Sequence, residues 1–251
     1  VIRNIQNVIG GDGDDTITGS GLVNTLQGGT GADTFVMKGS ANDTVYGGLS
    51  SGVDTNTQDT VDYSSYSLKV LVNLETQTGI VDVLDNNFAS GTKNDTFFGI
   101  DNVIGTAQND TIHGGSGVNT IFAGANADTI IGAGGADIIY GQGGNDTILG
   151  GLDGDKIYGG DLSIDDGTDT VDYSYITAAN GTKLTINLNT VGKEVQNTND
   201  TTAFDTLYGI ENVKGGANDD ILTGGNDFAI VNTLDGFKVN DTFYASKGVD
   251  H

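Results

Sequence analysis

Residues 105–158 divide into six consecutive nine-residue units, and the eighth place of every unit is isoleucine: Ile112, Ile121, Ile130, Ile139, Ile148 and Ile157. The sixth place holds Asp110, Asn119, Asp128, Asp137, Asp146 and Asp155. Glycines crowd the first four places, as in GGSGVNTIF (114–122) and GGLDGDKIY (150–158). Two further units near the start, GGDGDDTIT (10–18) and GGTGADTFV (28–36), keep the pattern most completely. A fixed period of this kind constrains the fold more than any other feature, because one unit cannot bury its apolar residue alone and must stack on copies of itself. A disordered glycine-rich linker has no need of a large aliphatic at one phase.

The unit can be built residue by residue. Glycine supplies the φ > 0 conformations that a tight turn demands. The last three residues alternate in direction and make a short strand, with place eight inward and places seven and nine outward. One unit reverses the chain once, so two units close a coil. Asp110, Asp128 and Asp146 then stack along one edge, and Asn119, Asp137 and Asp155 along the other. Coils lie about 4.7–4.9 Å apart, the strand spacing. Two oxygens facing each other across calcium, each at about 2.3–2.6 Å, span nearly that distance, whereas magnesium has shorter bonds and a stricter octahedron.

These units resemble the RTX (repeats-in-toxin) nonapeptide family. The resemblance implies an all-β fold, a calcium-stapled parallel β-roll or β-solenoid, here with irregular strand excursions. It implies that place-six carboxylates and the carbonyls of the glycine turn bind several Ca2+ ions. Carried onto this chain, the carboxylates are Asp15, Asp33, Asp110, Asp128, Asp137, Asp146, Asp155, Asp220 and Asp241. Asn119 occupies the same place, and the turn glycines carried over are Gly11, Gly13, Gly29, Gly31, Gly115, Gly117, Gly124, Gly135, Gly144 and Gly151. Asn24, Asn119 and Asn232 replace aspartate in the second unit of three segments and offer only a neutral oxygen, so they read as weak or empty sites.

A longer repeat lies beneath the short one. IQNV (5–8), IDNV (100–103) and IENV (210–213) open three copies, taken as residues 1–99, 100–209 and 210–251 of one continuous solenoid. DTVDYS recurs at 59–64 and 169–174, followed by the alternating segments VLVNLE (70–75) and LTINLN (184–189). The sequence predicts two antiparallel excursions around the DTVDYS strands. The third copy stops at His251 and Val1 is not an initiator, so the sequence reads as part of something longer.

Composition narrows the function. Of 34 acidic residues only Glu75, Glu194 and Glu211 are glutamate, which suits short carboxylates reaching a backbone-lined ion site. The net charge of −24, with Arg3 the only arginine, excludes nucleic acid, which needs clustered basic residues. Proline is absent, as continuous ladders require, and cysteine is absent, leaving calcium as the available staple. No apolar run approaches the ~18 residues of a membrane helix.

Catalytic constellations are weak. HExxH and GxSxG are missing, and only His113 and His251 could supply imidazole. The pairs Asp59/Asp62 and Asp169/Asp172 could form a hydrolase dyad, but their recurrence favours extra ion sites or solvated loops. The acidic loop Asp161, Asp165, Asp166 and Asp169 lacks the closing glutamate of an EF-hand. The expected function is therefore non-enzymatic. The RTX resemblance implies a calcium-dependent extracellular scaffold exported by a type I system, and the long superrepeat resembles RTX surface proteins of the adhesin, surface-layer or filament type. Its expected partners are calcium, further copies joined end to end, and cell-surface glycan, without membrane insertion. The alternative is an accessory roll of a secreted enzyme or toxin.

Overall fold

The computed structural model describes residues 5–48, 58–81, 93–151, 153–160, 167–176, 183–188, 193–197, 204–225, 231–238, 240–244 and 249–250. Asp161, Asp165, Asp166 and His251 lie outside them. No helix occurs among the described residues; the chain forms two 12-stranded sheets and one short additional strand pair, Val231–Asn232 with Val249–Asp250.

The nine-residue period dictates the arrangement. Strands two units apart pair in parallel, Thr111 opposite Thr129 and then Thr147 in one sheet, Thr120 opposite Ile138 and then Lys156 in the other. Successive units alternate between sheets, so each coil contributes one strand to each. All six place-eight isoleucines are completely buried, and Leu26, Phe35, Val45, Val61, Phe97, Val103, Val171, Leu207 and Leu222 continue the same column. The core is a single layer of side chains between two sheets. Place nine faces outward, where Phe122, Tyr140, Tyr158 and Tyr208 stack with centroids 4.5–4.7 Å apart. That separation is the strand spacing itself, so the parallel register aligns the rings.

Two excursions interrupt the roll, in a different place from that expected. The DTVDYS strands Thr60–Asp62 and Thr170–Asp172 are ordinary coil strands, parallel to both neighbours. Their Asp-Thr-Val is places six to eight of a unit whose loop is lengthened, with Gly47 and Gly159 still at place one, and Val61 and Val171 fill core slots. The antiparallel segments come afterwards. Val70–Asn73, Thr78–Val81 and Lys93–Phe98 form one meander, inserted in the first sheet between Thr44–Tyr46 and Thr111–His113. Leu184–Asn187, Lys193–Asn197 and Phe204–Tyr208 form the other, inserted in the second sheet between Lys156–Gly160 and Ile221–Thr223. An odd number of half-coils separates the two meanders, so they fall on opposite sheets and leave both with 12 strands.

Candidate metal centre

Place-six side chains sit at the turn, just before the strand, and are buried although charged: Asp33, Asp110, Asp128, Asp137, Asp146, Asp155 and Asp220 are each at most 2 % exposed. One oxygen of each builds a ladder by accepting the amide of the place-six residue one coil back. Asp128 accepts from Asp110 at 2.6 Å, Asp146 from Asp128 at 2.8 Å, Asp137 from Asn119 at 2.8 Å and Asp155 from Asp137 at 2.8 Å. Asp33 accepts from Asp15 and Asp241 from Asp220, both at 2.8 Å. The stacked edges expected from the sequence are present, and backbone amides hold them in register.

The second oxygen divides the predicted ligands into two groups. In the first coil of each copy it accepts from the place-two amide of its own loop. Gly11 donates to Asp15 at 2.7 Å, Thr106 to Asp110 at 2.6 Å and Gly216 to Asp220 at 2.7 Å, and Gly115 donates to the single side-chain oxygen of Asn119 at 2.7 Å. Ser20 and Gly225 donate likewise to Asn24 and Asn232. In later coils that bond is missing, and Oδ2 of Asp128, Asp137 and Asp155 is buried with no hydrogen-bond partner. A buried carboxylate oxygen without a partner is costly and points to a bound cation. Burial raises the pKa of Asp128 to about 8, Asp137 to about 7 and Asp155 to about 8, while backbone donors oppose the shift. Burial also raises Asp110, where the Val70 amide and the Thr106 amide and hydroxyl hold the value to about 6.

Peptide carbonyls complete the donor set at a place the sequence reading passed over. A methyl built on Gly132 would lie under 3.0 Å from both Asp137 Oδ2 and the Gly150 carbonyl oxygen. The same convergence occurs at Gly141, with Asp146 Oδ2 and the Gly159 carbonyl, and at Gly28, with Asp33 Oδ2 and the Gly47 carbonyl. The carboxylate of one unit and the place-one carbonyl of the next coil thus converge on one point beside the place-one glycine. The place-two carbonyls of Gly11 and Gly115 are instead taken by the amides of Thr30 and Gly134. Gly13, Gly29, Gly31, Gly124, Gly135, Gly144 and Gly151 serve the turn, with φ between +97° and +150°. Gly11, Gly115 and Gly117, all in first-coil loops, are not left-handed. Place one is glycine in five of the six contiguous units, and that regularity was the available signal; the requirement there is steric rather than conformational.

Hard carboxylate and carbonyl oxygens suit calcium, and the orphaned Oδ2 atoms together with the cradle at place one fit that ion. Among the described residues no three His, Cys, Asp or Glu side chains gather at one point, so each site relies on backbone oxygens for most of its ligands. Further place-six carboxylates emerge from the fold: Asp43, Asp59, Asp95, Asp169 and Asp205 join the ladders, as amides of Asn24, Asp33, Asp43, Asp146 and Asp155 donate to them at 2.7–2.9 Å. The recurring Asp-Thr-aliphatic or Asp-Thr-Phe triplet could have found them. Asp62 and Asp172 lie outward and accept from the amides of Ser64 and Ser174. His113 is half-buried, with Nδ1 2.9 Å from the Gly114 carbonyl.

The asparagines are brackets. Asn119 Nδ2 donates to the Asp101 carbonyl at 2.6 Å and Asn232 Nδ2 to the Glu211 carbonyl at 2.9 Å, bonds a carboxylate cannot make. Replacing Asp128 by alanine is expected to raise the calcium midpoint of folding severalfold. Asn119→Ala should cost about 1–3 kcal/mol at every calcium concentration and move the midpoint much less. Calcium titrations of both variants followed by circular dichroism separate the two behaviours.

The search of curated proteins finds no significant match. The family model for the RTX calcium-binding nonapeptide repeat matches in four copies, at residues 18–36, 95–130, 131–161 and 205–227. These segments include the six contiguous units and skip most of each meander. Period, parallel register, buried place-six ladder and family match agree: the chain carries RTX calcium-binding nonapeptide repeats.

Proposed function

We propose that this chain is a non-enzymatic, calcium-conditional extracellular scaffold of the surface-layer, adhesin or filament type, exported unfolded by a type I system. The observation that carries the proposal is the row of buried Oδ2 atoms on Asp128, Asp137 and Asp155, which a cation satisfies and the protein alone does not. A roll built this way folds where calcium is plentiful and stays open where it is scarce. The recurring acidic pairs support the absence of chemistry, since Asp59 and Asp169 belong to ladders and Asp62 and Asp172 to local turns.

Scaffolding further requires that rolls join. The outermost described strands of each sheet pair on one side only, and Ile9, Phe243 and Tyr244 there are 63 %, 50 % and 55 % exposed. Such edges accept another coil, from the same chain or a second copy. Head-to-tail stacking is heterologous and leads to open assemblies. We expect end-to-end association at millimolar calcium, reversed by chelation and followed by sedimentation velocity. A monomer across a hundredfold range of protein concentration defeats the assembly proposal and favours an accessory roll of a larger secreted protein.

A further inference from the structure

The two meanders are anchored to the roll by the same framework. In the first, the Asp43 amide donates to Asp95 Oδ1 at 2.7 Å and the Tyr63 hydroxyl donates to Asp95 Oδ2 at 2.7 Å. In the second, the Asp155 amide donates to Asp205 Oδ1 at 2.9 Å and the Tyr173 hydroxyl to Asp205 Oδ2 at 2.7 Å. Tyr63 and Tyr173 are the tyrosines of the two DTVDYS segments, both buried. Burial, reinforced by the neighbouring aspartates, raises the pKa of each phenol well above the ordinary value, so each remains a neutral donor.

One component differs. In the first framework the Lys93 ammonium lies 3.0 Å from Asp43 Oδ2 and 3.1 Å from Asp95 Oδ2, with all three side chains fully buried. It also reaches the Tyr66 hydroxyl at 3.0 Å. In the second, Asp155 Oδ2, the counterpart of Asp43 Oδ2, is buried without a partner. The register of KNDTFFGI (93–100) against AFDTLYGI (203–210) puts alanine where Lys93 stands. Two buried carboxylates in a low-dielectric turn need a positive charge. The chain supplies one covalently in the first copy, and none of the described side chains supplies one in the second.

We infer that the Lys93 ammonium is a tethered replacement for calcium at the Asp43–Asp95 site, whereas the matching Asp155–Asp205 site takes a divalent cation. This rests on the calcium reading proposed above and extends it to Asp205 and to the unequal sites of the two copies. Burial lowers the Lys93 pKa, but Asp95, Tyr66 and Asp43 raise it more, and the group stays above the usual lysine value and charged. The edge formed by Asn24, Asp43 and Asp95 is then complete without metal: the amide is bracketed and the two acids share one ammonium. This part of the roll can form before calcium arrives and offer a template for the first calcium-requiring coil.

Calcium bound per chain, measured by equilibrium dialysis with radioactive calcium on the whole protein, tests the assignment. Asp155→Asn should lose one ion, and Asp43→Asn should lose none. Lys93→Met should gain one ion. Hydrogen exchange supplies a second readout. In chelator the wild-type amides of Thr44–Tyr46 and Lys93–Phe98 should keep protection that Thr129–Ala133 loses, and Lys93→Met should lose it too. Equal ion losses in Asp43→Asn and Asp155→Asn overturn the assignment, even where Lys93→Met proves too unstable to measure. An unchanged ion count in a folded Lys93→Met does the same. A wild-type chain that binds no calcium overturns the calcium reading itself, and this assignment with it.

Discussion

Removing calcium is expected to convert the chain from β structure to a largely unfolded coil, and restoring millimolar calcium to return it. The described core is one layer thick, so hydrophobic burial per residue is modest. Against it stand a net charge of −24 and three buried carboxylate oxygens without partners on Asp128, Asp137 and Asp155. Each unsatisfied buried group costs about 1–3 kcal/mol, more when charged, and a domain has only about 5–15 kcal/mol in hand. Without a cation the sum approaches or exceeds that reserve. Extracellular oxygen-ligand sites respond at about 10⁻⁴–10⁻³ M calcium, which sets the concentration range. Magnesium should restore much less structure, because it demands shorter bonds and a stricter octahedron. Far-ultraviolet circular dichroism through a calcium titration, repeated with magnesium, reads the effect. Full β signal in excess chelator, or equal recovery with magnesium, would count against calcium stapling.

Gly124→Ala should be the most damaging single methyl in the contiguous roll, while Gly134→Ala, ten residues away, should be nearly silent. Gly124 has φ +123°, and a Cβ there would lie well under 3.0 Å from the Thr106 carbonyl oxygen of the coil before it. That oxygen accepts the Ala125 amide at 3.2 Å and belongs to backbone, so it cannot rotate aside. Strained φ costs about 1–3 kcal/mol and overpacking a similar amount, together about 2–6 kcal/mol. At Gly134 the nearest atoms to an added Cβ are 3.6–3.9 Å away, ordinary contact, and no left-handed φ is required. Thermal unfolding at saturating calcium should show a large drop for the first variant and little change for the second. Equal melting of the two would mean that the turn relaxes more freely than its stacking implies.

The contrast between these glycines marks where reading the chain by its period succeeds. A nine-residue repeat with one aliphatic phase leaves few options: a three-residue strand, a turn, and copies stacked at strand spacing. Sheet pairing, the inward isoleucine column and the two acidic edges all follow, because each is a property of the repeat itself. Calcium binding was readable for the same reason, since stacked aspartates with few basic residues to answer them require a cation.

What the period does not contain, the tertiary structure decided. Asp110 and Asp128 look alike in sequence, yet loop amides satisfy the first and an oxygen of the second is orphaned, because only the first coil of a copy folds its loop back onto place six. Asp59 and Asp95 follow segments that break the nine-residue count, so the period alone does not place them, and their ladder bonds show once the coils are stacked. DTVDYS looked like the start of an interruption and proved to be a coil strand, because its valine fills the core column while the meander forms afterwards. Lys93 is an unremarkable lysine in the sequence and becomes a buried cation between Asp43 and Asp95 through contacts 50 and 2 residues away along the chain. Which carboxylates need an ion depends on what stacking brings against them, and a nine-residue window holds only the carboxylate.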